Sequence, residues 1–168
     1  MISPSAFTRS DIERRVWRAI EKLREHDGYL LEVDASERSI THHLANYLQH
    51  EFEGWHVDVE YNRDCHEIKR LSNLPEVKSD KVFPDIIVHR RGTNDDNLLV
   101  VEVKKTGCGH DLEDEKKLVE FTKPLKKGGL AYRWGLHLIL DSEEQGKASL
   151  CWYKQGKPCD EQMVEEAF

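Results

Sequence analysis

The sequence predicts an α/β fold in which helices cover a central sheet. Two apolar runs, Ile86 to Val88 and Leu98 to Val103, flank a polar loop containing Gly92 and Asn94, the pattern of a β-hairpin. Both runs are apolar at consecutive positions, so both faces of these strands are expected to be covered. Around the hairpin, apolar residues recur at helical spacing in three stretches, and a further run from Trp134 to Leu140 is nearly all apolar. The order read along the chain is α, α, β, β, β, α, β, β.

The first helix is expected from Asp11 to about Arg24. Ser10 and Glu13 match a capping box, and Ile12, Val16, Ala19, Ile20 and Leu23 form one stripe flanked by Trp17. His26-Asp27-Gly28 stops it. The second helix is expected to start after Asp34 and end near Phe52, burying Ile40, Leu44, Tyr47, Leu48 and Phe52; Asp34 and Glu37 again match a capping box. Trp55 to Tyr61 alternates apolar and polar, which predicts a half-buried strand. Residues 64 to 82 have no clear period and are expected to form a long loop. After the hairpin, Thr106 to Gly109 is a turn. Asp111 caps a helix carrying Leu118, Phe121 and Leu125 on one side, and Pro124 kinks or ends it. Leu150 to Tyr153 then completes a second hairpin with the run Trp134 to Leu140.

At 168 residues the chain is expected to be one domain spanning 1–168, without internal repeats. A composition of 34% charged and 38% hydrophobic residues suits a soluble globular protein. No apolar run approaches a membrane span and the N-terminal stretch has no signal-peptide core, so a cytoplasmic protein with no membrane partner is expected. Cys65, Cys108, Cys151 and Cys159 form no Cys-x-x-Cys pair and are expected to be free thiols. Cys65-His66 and Cys108-Gly109-His110 offer zinc-ligand types, but at spacings that match no familiar zinc module. The net charge of -7 is unlike that of a generic nucleic-acid binder. Lys104, Lys105, Lys116, Lys117, Lys123, Lys126, Lys127 and Arg133 nevertheless cluster after the hairpin, while the acidic stretch Asp160 to Glu166 lowers the total. A solvated helix face explains any one of these lysines equally well.

Three charged residues interrupt the apolar hairpin: Asp85, Glu102 and Lys104. Buried charges are costly unless paired or bound to a metal. Side chains alternate along a strand, so Glu102 and Lys104 share a face; a turn about Thr93-Asn94 brings Asp85 opposite Glu102 on that face. Two carboxylates so close repel unless a hard divalent cation lies between them, and oxygen ligands favour Mg²⁺ or Mn²⁺ over zinc. His89 lies on the Asp85 face by parity but four residues away, and reads as structural. No G-x-x-x-x-G-K-[ST] motif supplies an ATP-binding loop.

Pro84-Asp85 followed by Glu102-Val103-Lys104 resembles the signature of the PD-(D/E)XK nuclease superfamily, the restriction-endonuclease-like fold. The resemblance implies an α-β-β-β-α-β core over about residues 34–141, a mixed central sheet flanked by helices, with the N-terminal helix and the C-terminal hairpin and tail as elaborations. It implies a metal-dependent nuclease that hydrolyses phosphodiester bonds. Asp85, Glu102 and the Val103 carbonyl would hold Mg²⁺ or Mn²⁺, and Lys104 would orient water or stabilise charge on the phosphate. The helix from Glu37 to Leu48 looks like the superfamily's helix whose glutamate points into the metal site, so Glu37 has a capping reading and a catalytic one. Tyr61, Asn62 and Arg63 would lie near the rim, where Arg63 has a phosphate-binding reading beside that of a surface salt bridge. The implied substrate is nucleic acid, DNA ahead of RNA; a partner subunit and a homodimer are both compatible. The alternatives are a non-catalytic nuclease-fold module that binds nucleic acid or a protein partner, and a plain structural α/β protein.

Overall fold

The computed structural model describes residues 7–61, 63–64, 67–68, 83–106, 112–127, 129–141 and 147–159. Among these, helices α1 (Arg9–Asp27), α2 (Tyr29–Glu32) and α3 (Glu37–Glu51) precede strand β1 (His56–Val59). Then follow β2 (Arg63–Asp64), β3 (Glu67–Ile68), β4 (Ile86–His89), β5 (Asn97–Lys105), α4 (Leu112–Thr122), β6 (Trp134–Leu140), β7 (Ala148–Lys154) and β8 (Lys157–Pro158). The mixed sheet has the order β1-β4-β5-β6-β7-β8 and is antiparallel except for β5 and β6. α4 is the crossover that the parallel pair requires.

The two faces of the sheet follow from strand parity. Ile86 and Val88 of β4, Leu99, Val101 and Val103 of β5, and Leu136, Leu138 and Leu140 of β6 pack with α1 and α3. Ile87, Val100 and Tyr153 pack on the other face with Leu118 and Phe121 of α4. The central strands are thus covered on both sides, as their unbroken apolar runs predict.

The hairpin register is the expected one. Ile86 faces Val101, Ile87 faces Val100 and Val88 faces Leu99; one further step back places Asp85 opposite Glu102. Beyond Val88 the ladder slips, with His89 facing Asn97, so Leu98 is the extra residue of a bulge. The strand from Trp134 and its antiparallel partner also form as predicted.

Several expectations are corrected. α1 is capped by Thr8 and Asp11, two residues before the expected pair: Thr8 is extended (φ -78, ψ 165), its hydroxyl accepts from Asp11 N–H, and the Asp11 carboxylate accepts from Thr8 N–H. Ser10 lies inside the helix. α3 is capped by Ser36, whose hydroxyl accepts from Ser39 N–H, and not by Asp34. Asp34 has left-handed backbone (φ 51), and its carboxylate pairs with the Lys105 ammonium. The expected strand from Trp55 to Tyr61 is shorter and lies at the sheet edge, where inward alternation fades from buried Trp55 to Val59, 40% exposed. Part of the expected loop is a small antiparallel pair, β2 with β3; most of residues 64 to 82, and Asp111, lie outside the described residues. Leu125 falls in a 3₁₀ turn beyond Pro124 and is exposed rather than packed. Cys151 and Cys159 are half-buried, with no disulfide between them; Cys65, Cys108, His66 and His110 lie outside the described residues, as does the acidic stretch from Asp160. Among the described residues no helix is long and apolar enough to cross a membrane.

Gly135 of β6 lets α4 seat on the sheet. A Cβ there would lie 2.9 Å from Thr122 Cγ2, 3.1 Å from Tyr153 Cβ and 3.3 Å from Leu118 Cδ2. Thr122 is not free to turn away, because its hydroxyl donates to the Leu118 carbonyl (2.8 Å) and accepts from Gly156 N–H (3.1 Å). We therefore predict that Gly135→Ala lowers stability by about 1–3 kcal/mol through overpacking. Chemical denaturation measures it; an unchanged or raised midpoint would refute this account of the α4 seat.

Candidate functional site

Asp85, Glu102 and Lys104 lie on the α4 face by parity, since Ile87 and Val100 do. Glu102 is 1% exposed in the middle of β5. Asp85 stands just before β4, and its Oδ2 accepts a hydrogen bond from Val103 N–H (2.8 Å). The carboxylate thus continues the β4–β5 pairing past the end of the strand. The N–H and carbonyl of one strand residue point to the same side, so the Val103 carbonyl is also directed toward Asp85.

α4 brings two residues that the motif did not include. Asp114 and Lys117 are one turn apart and form an i, i+3 pair, Lys117 Nζ to Asp114 Oδ1 at 2.6 Å. Lys117 Nζ also reaches Glu102 Oε2 at 3.5 Å. Lys104 Nζ lies 3.1 Å from Asp114 Oδ2 and 3.4 Å from Glu37 Oε1. The charges alternate in space: Glu102, Lys117, Asp114, Lys104, Glu37. Glu37 joins from the first turn of α3, and since Ser36 makes the cap, the capping reading of Glu37 is overturned. Lys117 stood only in the basic sequence cluster, and Asp114 had no role. The signal available was the Asp-x-x-Lys spacing on the helix that follows the Glu-x-Lys strand.

The basic cluster of the sequence is not one open cationic face. Lys105 pairs with Asp34, Lys117 with Glu102 and Asp114, and Lys123 with Glu120. His89 bonds Asp58 Oδ2 through Nε2 (2.8 Å) and packs edge-on against Tyr61, away from Glu102 and in keeping with a structural role. Asn62 and the side chain of Arg63 lie outside the described residues. His137 of β6 faces Glu102 across the parallel pair and is buried.

The electrostatics follow from burial. Burial pushes the Asp85 carboxyl up to about 6; the Val103 N–H opposes this and the neighbouring Asp114 adds to it. Burial, and then the Asp85 charge, hold the Glu102 carboxyl well above the usual carboxylate range. Burial alone would lower Lys117, but Glu102 and Asp114 outweigh it and raise it. Glu102 Oε1 is buried with no hydrogen-bond partner among the described residues. The donors are all oxygens, charged and in excess over the two ammonium groups, so in kind they suit a hard divalent cation such as Mg²⁺ or Mn²⁺. Among the described residues no three histidine, cysteine or carboxylate groups stand together as a metal-holding set.

The raised Asp85 value makes stability fall with rising pH. The folded protein holds this proton up to about pH 6, whereas the unfolded chain releases it near the ordinary 3.8. The stabilisation is complete below the unfolded value and is lost as pH rises through about 6. We predict that Asp85→Asn, which removes the charge and keeps an acceptor for Val103 N–H, melts higher than wild type in EDTA at pH 7 to 8. The gap should close toward pH 4. Mg²⁺ or Mn²⁺ should raise the wild-type melting temperature by mass action and move the variant much less. Thermal melts of both proteins decide it: a variant that melts lower at pH 7, with a wild type indifferent to either cation, would refute the metal-site account.

Comparisons of the chain with protein-family models, with curated proteins and with solved structures give no match.

Proposed function

We propose that this protein is a metal-dependent nuclease with a restriction-endonuclease-like core, hydrolysing phosphodiester bonds in nucleic acid, DNA ahead of RNA, in the cytoplasm. The observation that carries the reading is the pairing of Asp85 with a fully buried Glu102, one of whose oxygens has no hydrogen-bond partner among the described residues. A structural role does not account for burying a carboxylate there at several kcal/mol of desolvation cost. The order α3, β1, β4, β5, α4, β6 supports the same core.

In this reading Asp85, Glu102 and the Val103 carbonyl hold Mg²⁺ or Mn²⁺. The cation, when bound, polarises a phosphate oxygen and acidifies water. Lys104 stabilises the charge that develops on the phosphate, and Asp114 and Glu37, on either side of its ammonium, fix where that charge sits. Water attacks phosphorus, a P–O bond breaks, and the proton lost by water balances the one gained by the leaving oxygen. Lys117 positions Glu102 and relieves its charge until a cation does so. A partner subunit or a homodimer is compatible with this scheme.

One observation favours a second reading, a non-catalytic module of the same fold: the site's carboxylates are already paired with its own lysines, in a chain of net charge -7.

Two predictions separate these readings. Lys104→Ala and Glu102→Gln should stay folded and lose cleavage of mixed nucleic acids in Mg²⁺ or Mn²⁺ by about a hundredfold or more. Undiminished cleavage by either variant would sink the assignment, and a wild type that cuts nothing would favour the module. Glu37→Gln should slow turnover by at least about tenfold while leaving the melting temperature unchanged, because Ser36 and not Glu37 caps α3; normal turnover would remove Glu37 from the machinery.

A further inference from the structure

A cavity of about 650 Å³ opens beside the carboxylates, within the usual range for ligand pockets. Glu37 and Asp85 line it, so it adjoins the proposed reaction centre. Its lining includes an exposed apolar pair: Phe83 is 45% and Val59 40% exposed, two of the few large apolar side chains left in solvent among the described residues. Arg38 also lines it, and its guanidinium lies 3.0 Å from Glu60 Oε1. Both partners are largely exposed, so this ion pair holds the arginine weakly and leaves it available to an anion. Glu60 has left-handed backbone (φ 48), unusual for a glutamate, and its N–H donates to the Asp85 carbonyl (3.2 Å), which ties this part of the lining to the site.

We propose that this cavity receives an unpaired nucleotide of a single-stranded nucleic acid, its base stacked on Phe83 and its phosphate reached by Arg38. The inference rests on the nuclease reading and names the substrate class for the same site. An exposed phenyl ring and an anion-binding fork on the lining of one cavity match the two ends of a nucleotide. A duplex keeps its base faces stacked inside and offers none to an exposed phenyl ring, whereas a single strand offers one at every residue. Arg38 and Glu60 cancel, and Lys104 answers Glu37, so the cavity does not repel a phosphate as strongly as its three carboxylates alone would.

The test is fluorescence anisotropy of the full chain with labelled single-stranded DNA, single-stranded RNA and duplex DNA. It is run in Ca²⁺, a hard cation of the same ligand preference, with Phe83→Ala, Phe83→Trp and Arg38→Glu compared with wild type. Single strands should bind at least about tenfold more tightly than the duplex; Phe83→Ala should lose about tenfold, while Phe83→Trp retains wild-type affinity. Arg38→Glu should weaken binding further as salt is lowered. The DNA and RNA arms identify the sugar. Absent single-strand binding, equal or tighter duplex binding, or a folded Phe83→Ala of wild-type affinity would overturn the inference. Should the alanine variant fail to fold, a Phe83→Trp protein that has lost single-strand binding would overturn it too. Cleavage by wild type in Mg²⁺ is scored separately: Phe83-dependent binding without any cleavage removes the nuclease reading and leaves the stacking site standing, and cleavage indifferent to Phe83 does the reverse.

Discussion

Glu102 stands in the central strand of the sheet with almost no exposure, and its charge must be answered by something within reach. Lys117 answers it from α4, Asp114 answers Lys117, Lys104 answers Asp114, and Glu37 ends the chain on α3. Three of the four links join different elements, Lys117 to Glu102, Lys104 to Asp114 and Lys104 to Glu37, so the network ties α3, β5 and α4 together at one end of β5. Asp85 stands outside the chain of pairs. It is held by a backbone N–H, and its neighbours include further carboxylates. That crowding of carboxylates is a stability cost.

Packing decides whether the charges meet. α4 rests on β6 where Gly135 has no side chain, with Leu118 and Thr122 filling the space a Cβ would take. Leu118 and Thr122 lie on the turns next to Asp114 and Lys117, so the depth at which the helix seats also sets how near those two come to Glu102. The bulge at Leu98 acts at the opposite end of the hairpin. It absorbs one residue away from the site, and the register at Asp85 and Glu102 is untouched.

The exposed end of the site has a different character. β1 is an edge strand whose last residues turn outward, so Val59 and Glu60 line a cavity with Phe83 and Arg38 instead of joining the core. The carboxylate cluster and the open cavity share the half-buried Asp85 and Glu37. A charged floor therefore adjoins exposed side chains that the fold does not need for its own packing, which is where recognition has room to operate.

Much of this was legible in the residues alone. A strand has a side-chain period of two, so the hairpin's apolar runs and its turn were enough to place Asp85, Glu102 and Lys104 on one face, and to give the register that the structure has. The helices around Ile12 to Leu23 and Ile40 to Leu48 were likewise readable from period, but not their starts: Thr8 and Ser36 cap where Ser10 and Asp34 also fit the pattern, because a cap depends on local backbone angles that composition does not specify. Asp114 and Lys117 became part of the site only through the crossover of α4, and Val59 became exposed only because β1 lies at the sheet edge. Pattern within one element is a local property of the chain. Which face of a helix meets which strand, and which strand has no outer neighbour, are decided by packing between segments far apart in sequence, and that only the tertiary structure settles.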